Sequence, residues 1–119
     1  MISKGIAYEE LALQFLTKKG LKEVQRNFHS RFGEIDLIMQ ERETIVFVEV
    51  RYRKSNTFGS ASESVNIRKQ KKIIKSAETF LSMKRLTNIE SRFDVVAISP
   101  HNTKPNRNEI VWHQAAFIC

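Results

Sequence analysis

Two carboxylates frame the chemistry available to this chain: Asp36 in Gly33-Glu34-Ile35-Asp36-Leu37-Ile38, and Glu49 in Val46-Phe47-Val48-Glu49-Val50-Arg51. Each lies in an apolar or alternating run of strand length, Glu34 to Gln40 and Thr44 to Arg53. The polar interval Glu41-Arg42-Glu43-Thr44 between them suits a loop of about four residues. A hairpin closed by that loop sets Gln40 against Ile45, Ile38 against Phe47, Asp36 against Glu49 and Glu34 against Arg51. Opposed Cβ atoms approach to roughly 5 Å, and like charges facing each other there destabilise a sheet. Something positive should sit between the two acids. A hard divalent cation with oxygen ligands is one answer, and Arg51, about 7 Å along the same face, is another. A register slipped by two would instead make Asp36 and Arg51 an ordinary cross-strand pair. It needs a two-residue turn at Glu43-Thr44 or a shifted four-residue one. Glu-Thr suits positive φ poorly, so the carboxylate pairing is favoured.

The elements that must position this pair follow from periodicity. Ser3 to Lys19 carries an approximate helical stripe of Ile6, Leu11, Leu13, Phe15 and Leu16, with Ser3 as N-cap and Gly20 as the stop. Leu21 to Phe28 reads as a first strand with Val24 buried. After the hairpin, the small polar residues from Lys54 to Ser62 mark a loop, in which Phe58 is an anchor or a stacking wedge. The longest helix is expected over Val65 to Met83, capped by Ser62 or Ser64. Arg68, Lys69, Lys71, Lys72 and Lys75 crowd its first half. Arg92 to Ser99 is a further strand, Glu109 to His113 another, and Gln114 to Phe117 a terminal helical turn or tail. Trp112 reads as a core residue. The resulting order, αβββαβ(β), is an α/β fold with a mixed central sheet flanked by helices.

Gly-Glu-Ile-Asp-Leu-Ile, Val-Phe-Val-Glu-Val-Arg-Tyr-Arg and Arg92-Phe93-Asp94-Val95-Val96-Ala97 together resemble the YraN family of uncharacterised bacterial proteins, from about Gly5 to Phe117. That family is similar to the PD-(D/E)XK, or restriction-endonuclease-like, nucleases and to archaeal Holliday junction resolvases. The resemblance implies the restriction-endonuclease-like αβββαβ core. It also implies a site in which Asp36 and Glu49 hold Mg²⁺ or Mn²⁺, the Val50 carbonyl adds a ligand, and Glu9, four residues after Gly5, supplies a third acid. Such an ion generates the nucleophile and neutralises charge at the reacting phosphorus. The departure is Arg51, where the nuclease signature has lysine. Arginine stays protonated and can only orient water or stabilise negative charge. Lys69 is the lysine expected to substitute in space, because the resemblance places its helix beside the site. Glu34 is expected to partner Arg51 rather than bind metal.

The chain of 119 residues is long enough for one domain, 1–119, with its own core; 41% of its residues are apolar. Twenty Lys and Arg against thirteen Asp and Glu give a net charge of +7, which favours a polyanionic partner. Nucleic acid is expected, DNA ahead of RNA, through Arg51, Arg53, Lys54, Arg68, Lys69, Lys71, Lys72 and Lys75, with Arg26, Arg31 and Lys104 adding scattered charge. No membrane partner is expected, since no apolar run is long enough to span a bilayer and Met1 to Leu16 lacks a signal-peptide core. A cytoplasmic setting is expected, and the single cysteine, Cys119, leaves no intrachain disulfide. His29, His101 and His113 have no metal-ligand spacing, and the four glycines are isolated rather than grouped into a phosphate-binding loop. The expected activity is that of an Mg²⁺- or Mn²⁺-dependent endodeoxyribonuclease or phosphodiesterase on structured or branched nucleic acid. The alternatives are a nucleic-acid-binding module without turnover and a protein-interaction module using the basic helix. Resemblance to resolvases admits a homodimer, which suits symmetric cutting of two strands.

Overall fold

The computed structural model describes residues 4–53, 65–101, 103–104 and 107–118. Helix α1 spans Lys4–Lys18, followed by strands β1 (Lys22–Ser30), β2 (Gly33–Glu41) and β3 (Thr44–Tyr52), helix α2 (Ile67–Met83), and strands β4 (Ser91–Pro100) and β5 (Asn108–Phe117). The five strands lie in sequence order. β3 and β4 are parallel across the α2 crossover, and every other neighbour pair is antiparallel. This is the expected mixed sheet with its αβββαβ core, extended by one antiparallel edge strand.

Among the described residues, each face of the sheet carries one helix and one apolar cluster. Ala12, Leu13 and Leu16 of α1 close over Leu37, Val46, Val48 and Val96. Ile73, Ala77 and Phe80 of α2 close over Ile38, Phe47, Phe93 and Val95. Alternation within the strands sends Val46 and Val48 to one helix and Ile45 and Phe47 to the other, so the continuous apolar run of β3 is buried on both sides. The α1 stripe ends in a Schellman motif, with Gly20 at φ 102°, its N–H donating to the Thr17 carbonyl (3.0 Å) and the Leu21 N–H to the Leu16 carbonyl (3.1 Å).

Four details differ from the sequence expectation. The α2 N-cap is Asn66, whose side chain accepts the Lys69 N–H at 2.9 Å, so the helix starts two residues later than expected; Ser3, Ser62 and Ser64 lie outside the described residues. The hairpin turn is Arg42-Glu43, with Arg42 at φ 55° and Glu41 still paired to Thr44. It is shorter than four residues but keeps the predicted register, Gln40 with Ile45 and Ile38 with Phe47. Val24 is 40% exposed because it falls at a register shift between Glu23 and Gln25, which interrupts the alternation. Lys54 and Phe58 lie outside the described residues. Finally, Gln114 to Phe117 is neither helix nor tail: β5 continues to Phe117 through a bulge in which residues 114–116 stand opposite Asp94. Ala115 takes φ 50° there, and its N–H donates to Asp94 Oδ1 at 2.9 Å, so a buried carboxylate satisfies the amide that the bulge removes from the ladder.

Candidate functional site

The site begins where the β2–β3 ladder ends. The last paired residues are Leu37 and Val48, and one step further the Asp36 side chain accepts the Val50 N–H at 2.8 Å. That bond fixes the carboxylate at the splaying end of the hairpin. Glu49, only 5% exposed, lies beside Asp36. Burial first, and then the adjacent Asp36 charge, pushes the Glu49 carboxyl up to about 8, against the pull of Lys69 and Arg51. Lys69 Nζ lies 3.4 Å from Glu49 Oε1. The Asn66 cap holds the Lys69 backbone, so the helix start aims this side chain across the site.

Helix α1 brings the third acid. Carboxylate oxygens of Glu9, Glu34 and Asp36 lie within 4.8 Å of one another. Asn27, at φ 49° in β1, points its amide at the two carboxylates; because they only accept, the amide is oriented with its nitrogen toward Glu34 Oε1 (2.8 Å) and Glu9 Oε1 (2.9 Å). Burial and the charges of Asp36 and Glu34 raise the Glu9 carboxyl above its ordinary value, opposed by Asn27 and Arg26. Hard divalent ions take oxygen ligands at about 2.0–2.6 Å, so two ligands of one ion stand at most about 5 Å apart. The acid triplet meets that spacing, and its mutual repulsion supplies the demand for positive charge.

Glu34 therefore faces Glu9 and Asp36, with His29 Nδ1 3.7 Å from its carboxylate, and belongs to the acidic cluster that the sequence reading kept it out of. Spacing along β2 puts Glu34 and Asp36 on one face; only the docking of α1 shows that Glu9 completes the set. Glu10, in contrast, is engaged by Arg26 Nη1 at 2.7 Å, which spends one of the scattered cations on an acidic partner.

Two clefts meet at these acids. One, of about 230 Å³, is lined by Tyr8, Glu9, Asp36, Glu49, Arg51, Tyr52 and Lys69. The other, of about 420 Å³, runs between Gly33, Glu34 and Asp36 on the hairpin and Asn66, Arg68, Lys69 and Lys72 on α2. Lys75 extends the basic row past this cleft, its Nζ 5.5 Å from the centre of the Phe32 ring. Lys71 is exposed and takes no part in either lining. Arg53 is half-buried at the end of β3, its backbone N–H donating to the Ile98 carbonyl at 2.9 Å. The sequence reading missed Asn27, Tyr8 and Tyr52. Asparagine's tolerance of left-handed backbone was the available signal for the first, and the two tyrosines carried none before α1 was placed.

Residues 8–98 match the family model described as "Uncharacterised protein family UPF0102". A UPF0102 protein of Vibrio parahaemolyticus is 54% identical over 95 residues, covering 79% of this chain and 78% of its own. One from Saccharophagus degradans is 47% identical over 114 residues (95% and 91%), and one from Stutzerimonas stutzeri 46% over 116 residues (97% and 94%). With the hairpin acids, the αβββαβ core and these matches in hand, the chain belongs to the UPF0102, or YraN, family.

Proposed function

We propose that this protein is a divalent-metal-dependent, endonuclease-like enzyme acting on structured or branched nucleic acid. The observation that carries the reading is the gathering of Glu9, Glu34, Asp36 and Glu49 beside Lys69 and Arg51 in a chain of net charge +7. Asp36, Glu9 and Glu34 would hold Mg²⁺ or Mn²⁺, with Glu49 alongside. The ion would activate water and neutralise charge on the phosphate. Arg51 would stabilise negative charge on the phosphate, and Lys69, 3.4 Å from Glu49, would position the attacking water. Asn27 keeps Glu9 and Glu34 oriented. Arg68, Lys72 and Lys75 contact phosphates without reading sequence, so binding weakens steeply with salt.

The test is incubation of the purified protein with branched, single-stranded and duplex DNA and RNA in Mn²⁺ or Mg²⁺. Cleavage is expected to vanish in Asp36→Ala and Glu49→Ala, and to slow by about 100-fold in Lys69→Ala. Activity unchanged in either acid variant rejects the site. The second reading, a nucleic-acid-binding module without turnover, is favoured by Arg51 standing where the nuclease signature has lysine, and measurable turnover excludes it. Absence of salt-sensitive nucleic-acid binding turns the basic helix toward an acidic protein partner instead.

A further inference from the structure

Tyr8 immediately precedes Glu9 on α1, and Tyr52 immediately follows Arg51 at the end of β3. Their rings stack with centroids 4.2 Å apart and planes 8° from parallel, and both line the cleft that holds Glu9, Asp36, Glu49 and Lys69. Among the described residues two other ring pairs are stacked, Phe47–Phe93 and Phe93–Phe117, but those rings are at most 9% exposed; Tyr8 is half-buried and packs against the α1-side apolar cluster, which leaves Tyr52 as the outer ring of the tyrosine pair. Tyr52 is 36% exposed. The tyrosine pair is thus a stacked aromatic surface left at the mouth of an acidic cleft, flanked by Arg51 and Lys69.

We propose that Tyr8 and Tyr52 form a stacking platform for one unpaired base of the bound strand, adjacent to the phosphate that the carboxylates address. The proposal rests on the nucleic-acid reading above and names the substrate class within it. A strand whose phosphate is drawn to Lys69 and Arg51 carries its bases to the cleft mouth, and every base has a π-face that an aromatic ring can accept. A base inside a continuous duplex has both faces covered by its neighbours, so exposing one requires unstacking. The platform therefore selects a strand already open at this point: a flap, a gap, a branch point or a single strand. Aromatic rings rather than hydrogen-bonding groups do the holding, so the selection is for an open base and not for its identity.

The experiment places 2-aminopurine at successive positions around the junction of a duplex bearing a single-stranded arm and titrates it with the full chain in Ca²⁺. Wild type is expected to quench one position, and Tyr52→Phe to retain the quench. Tyr52→Leu, which keeps apolar volume against α1 without a π-face, is expected to abolish it and to weaken binding of the armed duplex about ten-fold. Its binding of a continuous duplex, held by phosphate contacts, is expected to change by less than about two-fold. Tyr8→Leu repeats the test from the helix side. Binding without a quenched position, or a quench that survives both leucine variants, overturns the platform and leaves the nucleic-acid reading standing. No binding to any arm or duplex overturns both.

Discussion

Asp94 and Glu49 are buried to nearly the same degree, 0% and 5% exposed, on neighbouring parallel strands where Val48 pairs Asp94 and Glu49 pairs Val95. Their surroundings are opposite. Asp94 accepts Arg92 Nε at both oxygens (3.1 and 3.2 Å), Trp112 Nε1 at 2.9 Å and the Ala115 N–H at 2.9 Å; Arg92 Nη1 also reaches Glu41 at 2.7 Å. Glu49 has Lys69 at 3.4 Å and the like charge of Asp36 against it. A buried carboxylate with a cation and several donors is a structural node, because each lone pair lost from water is replaced. A buried carboxylate pressed against other acids is left in demand of positive charge, and such imbalance marks a site. On this contrast Asp94 is a structural node, and Glu49 belongs to the proposed site.

That contrast predicts substitutions of opposite sign. Asp94→Asn leaves Arg92 Nε facing a neutral amide, with Glu41 as the remaining anion, and gives one oxygen of the node to an NH2 group that cannot accept; it is expected to lower unfolding stability by about 3 kcal/mol, read from urea or thermal melts. A loss below about 1 kcal/mol would remove Asp94 from its structural role. Glu49 should reveal itself through pH. Its unfolded carboxyl releases a proton near 4.5, whereas the folded one keeps it until about 8. Across that window the folded state binds more protons, so metal-free stability falls as pH rises and levels off above about 8. Glu49→Gln is expected to flatten the fall, and an equally steep urea-midpoint profile in the variant contradicts the crowding. Trp112→Phe removes one donor from Asp94 and should cost about 2 kcal/mol. Asp36→Asn relieves repulsion while leaving an oxygen for the Val50 N–H; the metal-free protein should gain about 1 kcal/mol, where an Asp94-like acid would lose stability.

The smallest expected effect lies away from both acids and serves as a control. Helix α2 ends in the same hydrogen-bond pattern as α1, with the Arg85 N–H donating to the Ser82 carbonyl (3.1 Å) and the Leu86 N–H to the Leu81 carbonyl (2.8 Å). Arg85 occupies the left-handed position at φ 58° that Gly20 fills in α1. Arg85→Gly is expected to raise stability by about 0.5–1 kcal/mol without altering metal or nucleic-acid binding. A change in binding would show that the two ends of α2 are coupled.

Much of the fold was legible because it depends on local periodicity. The two helices, the first four strands and the pairing of Gln40 with Ile45 follow from where apolar residues recur and where polar intervals interrupt them. Bulges were not legible. Val24 and the 114–116 segment break the alternation on which strand reading rests, and the Ala115 amide is satisfied by a carboxylate more than twenty residues away, Asp94, rather than by its own ladder. Sequence spacing likewise related Asp36 to Glu49 but left Glu34 out of the acidic cluster, because hairpin counting ignores the helix above it.

Element order, the hairpin register that brings Asp36 to Glu49 and the excess of positive charge are all written into the chain, since they follow from residue periodicity, loop length and composition. The family resemblance pointed to Glu9 and Lys69, but it took the packed molecule to set Glu9 against Glu34 as well as Asp36, to bring Lys69 within 3.4 Å of Glu49, and to stack Tyr8 on Tyr52. Each of those contacts joins a helix to the sheet, and the angle and height at which α1 and α2 settle are set by how their apolar faces pack, which no local pattern encodes.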